Sequence, residues 1–404
     1  MSFQQGLSGL NAASKSLDTI GNNVANANTV GFKQSRAEFA DMYANSLTGA
    51  GTSQVGIGVK VSAVQRAFSQ GNITSTNNPL DMAINGNGFY RLSNNGAISY
   101  TRNGQFQLDK SGFIVNSSGE KLTGYMANGN GVLQTGSPTD IQINSADLSP
   151  NATTKVNNVM NLDASSSILP IAAFDPTDPT TYTQVVPIAV YDSQGNSHTL
   201  QSYMIKTAAN TWAVRTTVDG GTTIVGGAAT QLSFNSAGLI NSPTTDAVTL
   251  SPPTVPAAMS ITVDFASSTQ FGSSYSLNSQ AQDGFASGRL TSFSASADGS
   301  IVGRYSNGQA KTLAQVVLAK FANPNGLQAL GNNGFAETTD SGVPVVGKAG
   351  TGGLGSIQSS ALEDSNVDLT AELVNMITAQ RYYQANAQTI KTQDQVQQTL
   401  INLR

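Results

Sequence analysis

The chain has 404 residues, a formal net charge of -4, one histidine and no cysteine. This length can hold about two or three domains. The lack of cysteine excludes thiol nucleophiles, disulfides and cysteine-ligated zinc or iron–sulfur sites. The small negative charge gives no electrostatic support for nucleic-acid binding. Only 11% of the residues are charged, against about 25% in an average soluble protein, which predicts a neutral polar surface like that of an extracellular scaffold.

The N-terminal segment predicts an amphipathic helix. Large apolar residues recur at steps of three and four, the spacing of a helix seam that packs on a partner. This seam consists of Phe3, Leu7, Leu10, Leu17 and Val24. Ser2 and Gln5 have the spacing of a capping box. We expect the helix to run for roughly six turns and to end within residues 21–28, where asparagine and glycine dominate.

The C-terminal segment predicts a second, longer helix. Residues 365–368 resemble an N-cap, and no glycine or proline follows before Arg404. A helix of roughly 40 residues would span ~60 Å, a length typical of coiled coils and assemblies. Its predicted apolar stripe is Leu369, Leu373, Met376, Tyr383, Ala387, Ile390, Leu400 and Leu403. The opposite face is rich in neutral amides, which by itself indicates a solvated surface.

The middle of the chain predicts strands joined by tight turns. Asn-Gly and Asp-Gly pairs recur between short apolar runs, as at residues 103–104. Residues 185–191 and 200–205 flank a turn and predict a β-hairpin. Pro187 lacks a backbone N–H, so its strand is expected at a sheet edge or a bulge. The expected fold class is mainly β with α-helical termini.

Glycine-, serine- and asparagine-rich stretches divide the chain into nested layers, each built from both ends of the sequence. We expect four parts. They are a terminal helical coiled-coil domain (1–30 with 362–404), a linker region (31–70 with 347–361), a middle β domain (71–145 with 285–346) and an outer β domain (146–284).

No pattern in the sequence predicts catalysis. His198 follows a predicted hairpin turn, where a lone and exposed histidine is far more often structural than catalytic. Residues 86–88 lack the third glycine and the helix of a dinucleotide fingerprint. Residues 175–179 lack EF-hand spacing and are predicted to form turns rather than a cation site. We therefore expect no catalytic, cofactor-binding or metal site, although carboxylates that meet only in space stay open.

Both ends of the chain resemble the signatures of the flagellar axial proteins of the rod and hook. The N-terminal motif is DTIGNNVANANTVGFK at residues 18–33, and the C-terminal motifs are SNVDL, ELVNMI and QRYY within residues 365–383. These motifs are long and specific to the family, but they do not separate rod from hook. The motif residues singled out are Gly21, Asn22, Asn23, Asn26, Gly31, Phe32, Asn366, Asn375, Gln380 and Arg381.

The central region favours a hook subunit within this family. Residues 190–196 and 212–214 resemble the outer domain of hook subunits, and residues 317–327 resemble the return of the chain through the middle domain. Rod members are mostly shorter and lack the central β block. The alternatives are a distal rod or hook–filament junction protein or, from a different class, an extracellular β-rich adhesin or glycan-binding protein.

The resemblance implies a structural role outside the cell. It implies that copies of the chain polymerise into a flexible hollow tube that couples rod to filament and transmits torque. The implied partners are further copies of the chain, the distal rod protein, the hook cap, the hook–filament junction protein, the hook-length control protein and the flagellar type III export apparatus. No nucleic acid, membrane insertion or cofactor is expected.

The same resemblance changes the interpretation of the two termini. Residues 1–7 lack the basic and apolar regions of a secretory signal, so we expect export without a cleaved leader. The apolar seams become polymerisation surfaces, disordered in the monomer and ordered on assembly. Gln384 and Gln388 become candidates for lining a central channel, beside the simpler interpretation as a solvated face. Glycine-rich residues 49–58 and 347–355 become candidate flexible joints.

Overall fold

The computed structural model describes residues 2–42, 56–144, 146–241, 243–251 and 255–402. The chain divides into two compact units. The first unit comprises Met1–Asn144, Ser292–Gly303 and Ala310–Arg404, and the second comprises Ser145–Thr291 and Arg304–Gln309. A helix lies near each terminus and strands dominate between them, which confirms the predicted fold class.

Two helices belong to the first unit, α1 at Ser2–Ala25 and α2 at Leu369–Asn402. The end of α1 falls within the predicted range. The Asp368 carboxylate accepts the backbone N–H groups of Thr370 and Ala371 at 2.9 and 3.1 Å, which confirms the predicted N-cap of α2. The side chains of Ser2, Leu400 and Leu403, and most of the glycine-rich stretch 49–58, lie outside the described residues.

The strands are as follows in chain order. The first unit begins with β1 Ser35–Met42, β2 Gly58–Arg66, β3 Ile73–Ser75, β4 Met82–Asn85, β5 Phe89–Asn94, β6 Ala97–Thr101, β7 Gln107–Leu108, β8 Ile114–Val115, β9 Lys121–Met126 and β10 Thr139–Asp140. The second unit contains β11 Lys155–Asp163, a 3-10 turn at Ile171–Ala173, β12 Gln184–Tyr191, β13 Ser197–Ala208, β14 Thr211–Val218, β15 Ile224–Ser233, β16 Thr245–Leu250, β17 Met259–Asp264, β18 Thr269–Phe271 and β19 Ser276–Gln282. The chain then returns through β20 Leu290–Ala295, β21 Ser300–Tyr305, β22 Ala310–Lys320, a 3-10 turn at Pro324–Gly326, β23 Gln328–Gly331, β24 Gly334–Ala336, β25 Val345–Lys348, β26 Ser356–Ser359 and β27 Ala361–Glu363.

The first unit is built around one large sheet with the order β20-β21-β22-β9-β5-β6-β24-β23. Its aromatic core includes Phe89, Tyr100, Phe321 and Phe335, all at most 4% exposed. The short antiparallel pairs β3–β27 and β4–β26 join the early and late parts of the sequence. A separate antiparallel ribbon, β1–β2, contacts α1.

The second unit consists of two sheets that share one core. Their orders are β12-β13-β14-β15 and β16-β17-β11-β18, with β19 paired to β11. Trp212 is fully buried in this core and donates its indole N–H to Gln270 at 2.8 Å. The β12–β13 hairpin confirms the prediction for residues 185–205, and β12 is an edge strand, as Pro187 indicated.

Candidate assembly site at the terminal helices

α1 and α2 pack antiparallel through small residues. A Cβ atom added to Gly6 would lie 3.0 Å from Ile390 Cγ1, and one added to Gly9 would lie 2.7 Å from Asn386 Oδ1. Glycine at these positions therefore allows the two helices to approach closely, because interaxial distance depends on the side chains at the contact. Among the residues of α1 whose burial is described, Gly6, Ala13, Ile20 and Asn23 are buried.

The predicted seam of α1 is not the face that α2 buries. Phe3 and Leu7 are each 45% exposed, and the remaining seam residues, Leu10, Leu17 and Val24, are half-buried. The buried residues Gly6 and Asn23 each precede a residue of the predicted seam, Leu7 and Val24, by one position, which rotates the face by about 100° around the helix. Large apolar side chains thus remain accessible after α1 has packed on α2.

The stripe predicted for α2 is also largely uncovered. Leu369, Leu373 and Tyr383 are exposed, while Met376, Ala387 and Ile390 are half-buried. Glu372 and Ala379 are buried instead.

The sequence reasoning missed further apolar surface on α2. Val374 is 58% exposed and Ile377 is 53% exposed, and Tyr382, farther along the same helix, is 64% exposed. The signal that could have found this surface was the step of three residues between Val374 and Ile377, beside the stripe already recognised.

The polar face of α2 carries the remaining candidates. Gln380, Gln384 and Gln388 follow one another at steps of four residues, so they lie along one side of the helix. All three side chains are exposed, and so is that of Arg381.

A network of hydrogen bonds from side-chain amides joins α1, α2 and β1. The Asn23 side chain donates to the Ser35 carbonyl oxygen at 2.8 Å and accepts the Ser35 N–H at 2.9 Å. The buried Glu372 carboxylate accepts hydrogen bonds from Asn23 Nδ2 at 3.3 Å and from Gln34 Nε2 at 2.7 Å. The N-terminal and C-terminal motifs therefore meet at one place in the fold.

Asn366 makes a second connection between the two ends. Its side-chain oxygen accepts the Gln34 N–H at 2.7 Å, and its Nδ2 donates to the Ala67 carbonyl oxygen at 2.8 Å and to Ser69 Oγ at 2.9 Å. This one side chain satisfies backbone groups on both sides of the β1–β2 ribbon, which explains an amide at this position.

Three buried charged side chains, those of Lys33, Arg102 and Glu363, form a cluster. In the chain, Lys33 follows α1 and Glu363 precedes α2. Glu363 accepts Lys33 Nζ at 2.7 Å, Arg102 Nη1 at 3.1 Å and the Gly71 N–H at 3.0 Å. The Lys33 and Glu363 side chains are completely inaccessible and that of Arg102 is 3% exposed. Burial lowers the pKa of Lys33, and the neighbouring Arg102 lowers it further, while Glu363 opposes both. The sequence did not single out Glu363 or Arg102, because their partners are hundreds of residues away.

Gly31 is required by this cluster. Its φ of 70° is left-handed, a region that favours glycine. A Cβ atom here would lie 2.7 Å from the Asn103 nitrogen and 2.8 Å from the Arg102 carbonyl carbon. Gly31 also donates its N–H to the Glu363 carbonyl oxygen at 2.8 Å.

The other motif residues have different surroundings. No atom lies within 4 Å of a Cβ added to Gly21. Asn22, Asn26 and Phe32 line a cleft beneath the end of α1. Asn375 lines a groove of about 570 Å³ between α1, α2 and β1.

His198, in the second unit, is bridged by two carboxylates. Its Nδ1 lies 2.7 Å from Asp219 Oδ2 and its Nε2 lies 3.4 Å from Asp192 Oδ2. Its side chain is 13% exposed, so the expectation of an exposed histidine is wrong. Burial acts to lower the pKa of His198, but the hydrogen bonds to Asp219 and Asp192 outweigh burial and raise it.

The described residues also bear on metal binding and on membrane insertion. Within the described ranges, no group of three or more histidine, cysteine or acidic side chains is placed to hold a metal ion. In the same part of the chain, neither helix is long and apolar enough to cross a membrane. Asp175 and Asp178 each cap a local turn through the backbone N–H two residues later, at 2.8 and 2.9 Å, which confirms the predicted turns.

Family models match four segments of the chain. Residues 3–33 match "Flagella basal body rod protein", and residues 83–159 match "Flagellar hook protein FlgE/F/G D1 domain". Residues 161–285 match "Flagellar basal body protein FlaE D2 domain", and residues 358–403 match "Flagellar basal body rod FlgEFG protein C-terminal".

Whole-chain relatives and a solved structure agree with these matches. The flagellar hook protein FlgE of Salmonella typhimurium is 43% identical over the whole of both chains, and that of Escherichia coli K12 is 42% identical over the whole of both. The crystal structure of Helicobacter pylori flagellar hook protein FlgE2 has the same fold, with a TM-score of 0.54 and 16% identity over 72% of this chain and 100% of that one. The chain belongs to the FlgE family of flagellar hook proteins and is a structural subunit of the bacterial flagellar hook.

Proposed function

We propose that this chain polymerises through α1 and α2 into the wall of a flexible hollow tube that couples rod to filament and transmits torque. The observation that carries the proposal is the apolar surface that remains on both helices after they have packed on each other. Phe3, Leu7 and Leu373 are each 45% exposed, and burying apolar surface gains about 25 cal/mol per Å². A neighbouring copy supplies a surface that can cover these side chains.

The four-part organisation belongs to this proposal. Residues 1–30 with 362–404 would form the inner tube, 31–70 with 347–361 the linker, 71–145 with 285–346 the middle domain and 146–284 the outer domain. Support for the bounds of the outer domain comes from the second unit, whose main segment runs from Ser145 to Thr291.

We further propose that the terminal helices order only on polymerisation. An isolated pair of helices with exposed apolar faces is marginal in water, so a disordered end would keep subunits from assembling early. Export through the flagellar type III apparatus suits a chain without cysteine, because no disulfide can form on the way. The distal rod protein, hook cap, junction protein and length-control protein are the proposed partners outside the cell.

The amide face of α2 is proposed to line the central channel. Gln384 and Gln388 are exposed and uncharged. Unfolded cargo of either charge could slide along such a wall without forming ion pairs, whose strength depends on formal charge.

Electron microscopy of the concentrated or salted-out protein tests the proposal. We expect tubes from the full chain, none from a variant lacking residues 1–30 and 365–404, and none from Leu7→Gln combined with Leu373→Gln. Gln4→Ala, on the exposed side of α1, serves as the matched control and should form tubes. Tubes from the truncated variant would refute assembly through the helices, and sharp helical amide signals from residues 1–30 in a dilute monomer would refute ordering on assembly.

A further inference from the structure

The cleft beneath the end of α1 contains a guanidinium without an anionic partner. This cleft of about 270 Å³ lies between α1, the end of β2 and the β23–β24 hairpin. Among the described residues, the Arg66 side chain has no hydrogen bond and no ion pair, and its Cζ lies 5.3 Å from the centre of the Phe335 ring. Burial lowers the pKa of Arg66, and no carboxylate of the described residues is close enough to offset it.

The aromatic core holds this guanidinium in place. Phe335 is 4% exposed, and its ring meets those of Phe68 and Phe89 edge-on, with centroids 5.6 and 6.0 Å apart. A planar guanidinium that stacks on a fixed ring has lost much of its rotational freedom, so it loses little more on binding an anion.

The other walls of the cleft are neutral or cationic. Asn22 and Asn26 line it from α1, and Asn332 and Asn333 line it from the turn between β23 and β24. The turn is tied to the chain after α1, because Asn333 Nδ2 donates to the Val30 carbonyl oxygen at 2.9 Å.

The second cation at the cleft, Lys33, already has an anionic partner. Lys33 also lines the cleft, but its ammonium contacts Glu363 and the Ser69 carbonyl oxygen at 2.7 Å each. The free positive charge of the cleft is therefore that of Arg66.

We propose that this cleft receives the carboxylate of an aspartate or glutamate from a second copy of this chain, which forms an ion pair with Arg66. The inference rests on the proposed polymerisation and deepens it. A half-buried guanidinium without an acceptor is unfavourable, and a carboxylate matches its two-pronged geometry. The volume suits one short side chain and is smaller than the ~300–1,000 Å³ of common ligand pockets.

A second copy is the occupant that suits this chain best. In a helical polymer every copy presents the same cleft to the same surface of a neighbour, so a single pair repeats along the tube. The chain has 24 acidic and 20 basic residues, so carboxylates are in excess. The first candidates are Glu38 and Asp41, two carboxylates on β1 that form no ion pair with any described residue.

Assembly of full-length variants tests this contact. Arg66→Gln should raise the critical concentration for tube formation about tenfold, which corresponds to ~1.4 kcal/mol, and should weaken its dependence on sodium chloride. Lys60→Gln, an exposed charge loss on the same strand, should behave like the wild type. Thermal unfolding of both monomers is measured first, so that a folding defect is recognised.

Carbodiimide cross-linking gives a second, independent result. In tubes of Arg66→Lys, the introduced amine should couple to an aspartate- or glutamate-containing peptide of another copy, identified by mass spectrometry of the covalent dimer. An unchanged critical concentration for a folded Arg66→Gln, or tubes in which position 66 couples to no such peptide, overturns the inference and leaves polymerisation intact. If the wild-type chain forms no tubes, the proposed function fails, and the second copy as occupant fails with it.

Discussion

Replacing Glu363 by glutamine removes the carboxylate that contacts Lys33 at 2.7 Å and Arg102 at 3.1 Å. All three side chains are at most 3% exposed, so water cannot replace the lost charge. Removing one partner of a buried ion pair costs about 3–5 kcal/mol, because the other charge stays buried and uncompensated. That is a large fraction of the ~5–15 kcal/mol that stabilises a typical domain.

The expected effect is on the first unit, which contains all three side chains. For a unit of this size, each 1 kcal/mol lowers the unfolding temperature by roughly 2–4 °C, so Glu363→Gln should lower that of the first unit by roughly 6–20 °C. Calorimetry measures this transition. The fluorescence of Trp212, the single tryptophan of the chain, reports on the second unit, where it is fully buried.

A matched control separates burial from the simple loss of a carboxylate. Glu337 is exposed and accepts a hydrogen bond from the Tyr100 hydroxyl at 2.9 Å. Glu337→Gln should stay within about 1 kcal/mol of the wild type. If Glu363→Gln melts like Glu337→Gln, the account of a buried charge cluster is wrong.

Three other predictions concern His198, two glycines and the amide face of α2. The pKa of His198 is raised in the folded second unit. The stability that its protonation adds is therefore complete below the unfolded pKa of about 6.5 and is lost as the pH rises through the folded pKa. The urea midpoint measured by Trp212 fluorescence should fall over that pH interval in the wild type and not in His198→Asn. Gly31→Ala should lower the free energy of unfolding by about 2 kcal/mol or more, because of its left-handed φ and its clash with backbone atoms. Gly21→Ala, inside α1 with open space around it, should instead stabilise the helix by about 0.5–1 kcal/mol. Thermal unfolding compares the two variants, and equal effects would contradict the reasoning. Gln384→Lys with Gln388→Lys should slow filament growth beyond a normal hook, and filaments of unchanged length, measured by electron microscopy, would argue against a channel-lining role.

Sequence patterns predicted correctly those elements whose formation depends on residues close together in the chain. The C-terminal end of α1, the Asp368 cap of α2 and the β12–β13 hairpin each depend on residues a few positions apart. Helix periodicity, capping and turn preferences act over that distance, so the sequence by itself determined these elements. The family motifs at both termini were recognisable for a related reason, because each is a continuous run of residues.

Only the tertiary structure decided which surfaces of those elements are buried. The apolar seam of α1 was recognisable, but the face that packs on α2 is rotated from it because Gly6, Gly9 and Ala13 permit a closer approach. A helix sequence specifies its possible contact faces, whereas the partner decides which one is used.

The charge cluster was beyond sequence reasoning for the same reason. Lys33 and Glu363 are 330 residues apart, and nothing near either residue predicts that they meet. Their burial results from the pairing of β27 with β3 and from the return of the chain after the second unit. The unpaired guanidinium of Arg66 was likewise invisible, because an absent partner is a property of the surrounding three-dimensional structure and not of the residues beside it in the chain.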